Sequence, residues 1–130
     1  MCLGNEFRYY RVDEAERRRL LSVIREKLSE FEDVLLAIVF GSFIELSEFR
    51  DIDVAVYMLD PSLERVLQLS AELEEALGIP VDVVPLSEVS PRFRLYILTK
   101  GEIVLERVAG LYEALLSMTL DDIEREEIVP

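Results

Sequence analysis

The 130-residue sequence contains no histidine and no tryptophan, and its single cysteine is Cys2. Without histidine, a Ser-His-Asp triad, a Cys-His nucleophile, a histidine-ligated zinc site and a histidine general base are all excluded. One cysteine cannot form an internal disulfide, which fits a reducing compartment. The chemistry that remains is that of carboxylates, hydroxyls and metal ions.

Glycine and proline are also scarce, with five of each, and no segment repeats at a fixed period. Collagen-like, low-complexity and repeat architectures are therefore excluded. No apolar run is long enough to cross a membrane, and the first residues lack the basic and apolar regions of a secretory signal, so we expect a cytoplasmic protein. The chain has one asparagine and one glutamine among many charged residues, which favours a thermophilic source.

The charge is strongly unbalanced, with 14 Lys and Arg against 27 Asp and Glu and a formal net charge of −13. Nucleic-acid binding normally uses a basic face that displaces counterions, so this charge argues against direct binding of DNA or RNA. An anionic substrate would need metal cations or a few placed arginines. The length predicts a single domain over residues 1–130, with residues 1–12 and 121–130 at its periphery.

The spacing of apolar residues predicts four helices and four strands, in the order helix, strand, strand, helix, strand, helix, strand, helix. The predicted helices cover residues 13–31, 61–78 and 90–99 and a final segment from Val108, and the predicted strands cover residues 34–40, 51–57, 81–84 and 103–105. The stretch 42–48 has room for one helical turn. This order predicts a compact α+β or α/β domain.

Three aspartates lie in predicted strands, where burial is expected. Asp51 and Asp53 are two residues apart, so their side chains point to the same face, and Asp82 belongs to a later strand. A buried carboxylate needs a partner or a raised pKa. If the two strands are neighbours, the three carboxylates converge in the geometry that binds Mg²⁺. The alternative is that they are strand-edge acids hydrogen-bonded to nearby backbone or arginine.

Gly41 and Ser42 end the first predicted strand at a turn into a helix. Glycine permits close backbone approach, and serine adds a hydroxyl and an N–H, so this turn is a candidate phosphate site. Arg50 directly precedes Asp51 and is a second candidate for a phosphate contact. For Arg50, an ion pair with Glu48 is the alternative.

Together, Gly41-Ser42, the eight residues that follow, Asp51-Ile52-Asp53 and the later Asp82 resemble the minimal nucleotidyltransferase (MNT) family of the DNA polymerase β-like superfamily. The resemblance covers most of the chain. It implies an α+β nucleotidyltransferase fold, a small mixed sheet flanked by helices. It also implies that Asp51, Asp53 and Asp82 bind two Mg²⁺ ions, and that Gly41 and Ser42 hold the phosphates of ATP or another nucleoside triphosphate.

The same resemblance implies transfer of a nucleoside monophosphate, AMP from ATP, to a hydroxyl of a protein partner. Small members of this family often act as antitoxins of a HEPN-type helical protein, so we expect such a partner or a homo-oligomer to complete the acceptor site. The alternative is a catalytically weak or inactive nucleotide-binding antitoxin that acts by partner binding alone. The loop between Ser42 and Asp51 is shorter than is common in the family, which favours this alternative.

Overall fold

The computed structural model describes the backbone of residues 8–128 and the side chains of residues 8–127. Within this range the chain forms six strands, five helices and a short 3-10 turn at Leu86–Glu88. The strands are β1 (Tyr10–Arg11), β2 (Val34–Phe40), β3 (Glu48–Phe49), β4 (Ile52–Met58), β5 (Val81–Pro85) and β6 (Glu102–Glu106). The helices are α1 (Glu14–Ser29), α2 (Ser42–Glu45), α3 (Leu63–Leu77), α4 (Pro91–Lys100) and α5 (Leu111–Ile128).

Four of the strands form a central mixed sheet in the order β5-β4-β2-β6. Strand β2 is antiparallel to both β4 and β6, whereas β4 and β5 are parallel. The expected mixed sheet flanked by helices is confirmed. The order also makes β4 and β5 direct neighbours, which was the condition for the three aspartates to converge.

Helices cover both faces of this sheet. On one face, Ile24 of α1 and Leu69 of α3 belong to the same core cluster as Val54 of β4. On the other face, Ile97 of α4 shares a second cluster with Ala55 of β4 and with part of α5. Consecutive residues of one strand thus fill two different core layers, as the two-residue period of a strand requires.

Side-chain caps set the start of three helices. Oδ1 of Asp13 accepts from the Glu16 backbone N–H at 2.8 Å, and Ser62 and Ser90 accept in the same way at the starts of α3 and α4. Such caps stabilise a helix by about 1 kcal/mol each. Helix α3 ends at Gly78, which has φ +72°, a left-handed conformation that favours glycine.

A buried cation ties α4 to α5. The Arg94 side chain is 6% exposed, and its Nε donates to Oγ1 of Thr119 at 2.7 Å. Its Nη2 donates to Oδ2 of Asp122 at 2.8 Å in an ion pair. The two helices are therefore held together by a paired charge as well as by apolar packing.

The structure departs from the predicted elements at two short strands and at the start of the last helix. Strands β1 and β3 were not predicted, because two-residue strands carry no periodic pattern; they pair with each other, and the rings of Tyr10 and Phe49 stack at 5.7 Å. Helix α5 begins at Leu111 rather than Val108, after Gly110 with φ +86°.

The described residues do not decide one prediction about the ends of the chain. The peripheral placement of residues 1–12 and 121–130 falls partly outside the described residues and stays a prediction. Cys2 lies outside them entirely. Among residues 8–128, no helix is both long and apolar enough to cross a bilayer.

Candidate functional site

The sheet places Asp53 and Asp82 side by side. Asp53 pairs in register with Asp82 on β5 and with Phe40, the last residue of β2. Directly paired residues on neighbouring strands point to the same face of a sheet. Phe40, Asp53 and Asp82 therefore form a row across three strands, on the face that carries α4.

Burial distinguishes the three aspartates. Asp53 is half-buried, whereas Asp51 and Asp82 are exposed. The expectation that all three are buried is wrong for these two, because Asp51 lies just before β4 begins and Asp82 belongs to the edge strand β5. Asp53 lies deep enough in the sheet for desolvation to be the largest influence on its ionisation.

The carboxyl group of Asp53 has an unusual ionisation. Burial, then the charge of Asp51 and then that of Asp82 raise its pKa to about 7. No cation and no hydrogen bond from the described residues is among the causes that set this pKa. For Asp53, the described residues therefore give no support to the alternative of an acid hydrogen-bonded to nearby backbone or arginine.

Gly41 lies between β2 and α2 and faces Asp53 directly. Its φ is +85°, and a Cβ atom at this position would lie 2.5 Å from Oδ2 of Asp53. Ser42 follows as the first residue of α2 and is half-buried. The structure thus brings the candidate phosphate turn and the candidate metal-binding carboxylate together, and only glycine fits between them.

Arg50 lines a pocket next to the Gly41-Ser42 turn. Ser42 and Asp51 line the same pocket, together with Tyr9, Leu46 and both residues of β3. The Arg50 guanidinium lies over the ring of Tyr9, 5.9 Å from its centroid. Glu48, the alternative partner proposed for Arg50, forms an ion pair with Arg11. Sequence reasoning missed Tyr9, and no local pattern could have found it, because β1 reaches the site only through its pairing with β3.

A second missed residue, Arg17, supports helix α2. Its guanidinium lies 5.7 Å from the ring centroid of Phe43, and Nη2 donates to the Leu46 carbonyl at 3.3 Å. Phe43 itself is fully buried. The short helix that follows Gly41 is therefore anchored on both sides, which fixes the turn in front of Asp53.

The donor set fits a hard divalent cation, which prefers carboxylate oxygens. Three carboxylates share one end of the sheet, and the unpaired charge of Asp53 is what a cation would neutralise. As they stand, however, no three acidic, thiol or imidazole groups among residues 8–128 form an arrangement that could hold a metal ion. The exposed side chains of Asp51 and Asp82 would have to turn toward Asp53, so the three-aspartate metal site stays a prediction.

Solved structures with this fold are close in shape and distant in sequence. The MNT antitoxin in complex with the tri-AMPylated HEPN toxin of Shewanella oneidensis is 22% identical, with a TM-score of 0.72 over 85% of this chain and 89% of that one. A toxin–antitoxin structure with AMP-PNP is also 22% identical, with a TM-score of 0.68 over 85% and 89% of the two chains. The toxin–antitoxin MntA-HepT gives 20% identity and a TM-score of 0.65 over 88% and 90%.

Comparison of sequences gives a family but no individual relative. No curated protein sequence matches the chain. The family model described as polymerase beta nucleotidyltransferase matches residues 22–109. This segment runs from α1 through β6 and contains the Gly41-Ser42 turn, Arg50 and all three aspartates. Because the match covers more than half of the chain and the whole site, the protein belongs to the polymerase β nucleotidyltransferase family.

Proposed function

We propose that this protein transfers AMP from ATP to a hydroxyl group of a protein partner, with release of pyrophosphate, in a Mg²⁺-dependent reaction, as the antitoxin of a HEPN-type toxin. The close approach of Gly41 to Asp53 carries the proposal, because it joins a phosphate-binding turn to an uncompensated carboxylate. Two similar structures support it: one contains an AMPylated HEPN toxin with its MNT antitoxin, and another contains AMP-PNP.

The residues of the site have separable roles in this proposal. Gly41 and Ser42 hold the phosphates, since the glycine leaves room and the serine provides a hydroxyl. Asp51, Asp53 and Asp82 would hold Mg²⁺, which when bound neutralises phosphate charge and aligns the attacking and leaving oxygens. Asp82 lies on the edge strand and is exposed, so an acceptor hydroxyl can reach it and lose its proton there.

The negative charge of the protein gives Arg50 a role in binding the triphosphate. The protein carries a net charge of −13, which repels a triphosphate. Arg50 places a cation in the pocket that Ser42 and Asp51 line. An arginine contacts phosphate oxygens with several donors at once. In the proposed reaction Arg50 therefore holds the triphosphate against the turn.

The acceptor site requires a second molecule. Asp82 faces solvent at the edge of the sheet, and the part of the chain that the structure describes adds no further domain beside it. A basic, RNA-binding partner of the HEPN type would complement the acidic surface. The partner then brings the hydroxyl that receives AMP; a second copy of this chain is the other candidate.

Calorimetric titration tests the nucleotide step. We expect ATP to bind in the presence of Mg²⁺ and not in its absence, and the Asp51→Asn/Asp53→Asn variant to lose this binding. Asp121→Asn, an exposed aspartate of α5, is the matched control and should bind as the wild type does. Failure of the wild type to bind ATP with Mg²⁺ would contradict the proposal.

Mass spectrometry tests the transfer step. The protein is incubated with a HEPN-type protein of the same organism, ATP and Mg²⁺, and the partner is expected to gain the mass of one or more AMP groups. The double variant should leave the partner unmodified. If the wild type and the double variant silence the partner equally and neither modifies it, the protein acts by binding alone.

A further inference from the structure

Three aromatic side chains form a continuous cluster at the site, which we call the aromatic platform: Phe40, Phe93 and Tyr96. The rings of Phe93 and Tyr96, one turn apart on α4, are parallel within 9°, with centroids 6.1 Å apart. Phe40 meets both rings edge-on, at 5.8 Å and 6.3 Å. Phe40 is buried, whereas Phe93 is 39% and Tyr96 36% exposed. Two aromatic rings are thus held in place from below and open to solvent above.

The aromatic platform adjoins the candidate phosphate turn and the carboxylates. Phe40 is the residue before Gly41, and it lies directly opposite Asp53 in the antiparallel pair of β2 and β4. Cβ atoms of such a pair are about 4.5–5.5 Å apart. The hydrogen bond to Glu45, then burial, and then the charges of Glu45 and Asp53 raise the pKa of the Tyr96 phenol, so Asp53 lies within electrostatic range of this ring. A molecule held at Gly41 and Asp53 would therefore reach the rings within the length of a nucleotide.

A hydrogen bond holds the ring of Tyr96, one of the two exposed rings of the aromatic platform, in place. The Tyr96 hydroxyl donates to the carboxylate of Glu45, the last residue of α2. Helix α2 begins at Ser42, so this bond ties the aromatic platform to the element that follows the phosphate turn. Because the hydroxyl is already engaged, the aromatic platform offers a ligand flat π-faces rather than hydrogen-bonding groups.

We infer that the aromatic platform binds the nucleobase of the nucleoside triphosphate whose phosphates lie at Gly41 and Ser42. This inference rests on the proposed function, since it requires a triphosphate at that turn. Aromatic side chains bind bases by stacking, and stacking tolerates different bases because every base has a π-face. We therefore expect the aromatic platform to bind purines more tightly than pyrimidines, because purines have the larger face. It should not distinguish adenine from guanine.

Calorimetry with two probes tests this inference. MgATP carries a base and magnesium tripolyphosphate does not. We expect Phe93→Ala to weaken MgATP binding about ten-fold, the loss typical of one stacking contact. Its affinity for magnesium tripolyphosphate should be unchanged. Phe93→Tyr keeps the ring and should restore most of the MgATP affinity that Phe93→Ala loses. Leu67→Ala, an exposed apolar residue of α3, is the control for surface truncation.

The outcomes separate this inference from the proposed function. If the wild type binds neither probe, the proposed function fails and the inference fails with it. If the wild type binds MgATP and Phe93→Ala binds it equally well, the inference alone is overturned. Equal weakening of both probes would also overturn it, since the rings would then only support the fold of the site. A Phe93→Ala variant that binds MgATP normally but modifies its partner poorly would assign the rings to the acceptor instead.

Discussion

Gly41 and Asp53 come so close that a single methyl group on the glycine would lie 2.5 Å from the carboxylate oxygen Oδ2. The approach is possible because Gly41 adopts φ +85° where β2 ends, and because Asp53 is directly opposite Phe40, the residue before it. A substitution at either Gly41 or Asp53 should therefore displace the other residue.

Gly41→Ala should impair the site more than the fold. The new methyl group would push the Asp53 carboxylate aside, and we expect at least a ten-fold loss of MgATP affinity and of AMP transfer. The backbone at Gly41, with φ +85° and ψ −155°, lies in a region essentially restricted to glycine, so the alanine adds about 1–3 kcal/mol of strain. Gly110→Ala is the matched control, because Gly110 has φ +86° but a Cβ there meets nothing within 4 Å. Equal loss of MgATP affinity in both variants would show that backbone strain, and not the Asp53 contact, is responsible.

Asp53→Asn should stabilise the ligand-free protein, and the gain should depend on pH. The pKa of Asp53 is raised from 3.8 to about 7 by burial and by Asp51 and Asp82. Between these values the unfolded chain releases the proton while the folded protein keeps it, so stability falls as pH rises through this window and is constant above it.

The size of this effect follows from the same window. The advantage of Asp53→Asn should grow by at most about 1.4 kcal/mol per pH unit between pH 4 and pH 7, and by less because the group is partly solvated. Thermal unfolding at pH 5 and pH 8 measures it, with Asp121→Asn as the control. A stability difference between variant and wild type that does not change with pH would contradict the raised pKa.

Arg50→Ala should weaken MgATP binding without affecting the fold. Losing a hydrogen bond to a charged group typically costs about 1.5–3 kcal/mol, so we expect a loss of roughly ten-fold or more. The loss should shrink at high salt, and Arg50→Lys should restore part of the affinity, since it keeps the charge but not the planar geometry. Arg18→Ala, an exposed arginine of α1, should bind normally. Unchanged affinity in Arg50→Ala would remove Arg50 from the nucleotide site.

Arg107→Ala should do the opposite, weakening the fold and leaving nucleotide binding intact. Arg107 donates from Nε to the Val34 carbonyl at 2.9 Å and from Nη2 to the carbonyls of Phe31 and Ser29 at 3.1 and 3.3 Å, so it closes the end of α1. We expect a loss of about 1–3 kcal/mol in the free energy of unfolding, measured by urea denaturation. Arg125→Ala, whose side chain is exposed, is the control. A variant as stable as the wild type would show that water hydrogen-bonds to these carbonyls as well as Arg107 does.

The local sequence predicted the main elements well, because each has a strong periodic pattern and a clear boundary. The predicted helix over residues 13–31 begins at Asp13, which caps α1, and the one predicted over residues 61–78 ends at Gly78, which caps α3. The apolar run over residues 34–40 matches β2 in full. These signals act between residues close together in the chain, where helix capping and side-chain alternation are decided. By contrast, β1 and β3 have no such pattern and exist only because they pair with each other.

For the candidate site, the types of residue were predictable and their surroundings were not. The spacing of Asp51 and Asp53 indicated a shared face, yet only the three-dimensional structure distinguishes the half-buried Asp53 from its exposed neighbours. The contact of Tyr96 with Glu45 joins residues 51 positions apart and has no signature in either segment. Long-range contacts of this kind depend on how the helices pack on the sheet.

By itself, the sequence determined which residues could do chemistry. It excluded histidine chemistry and an internal disulfide, and it placed a Gly-Ser turn ahead of two aspartates whose spacing puts their side chains on one face of a strand. Only the tertiary structure decided that β5 lies parallel to β4, that Asp82 therefore stands beside Asp53, and that Gly41 faces the same carboxylate. The reason is physical: periodicity is set by the local backbone, whereas strand order and side-chain convergence are set by packing between segments distant in the chain.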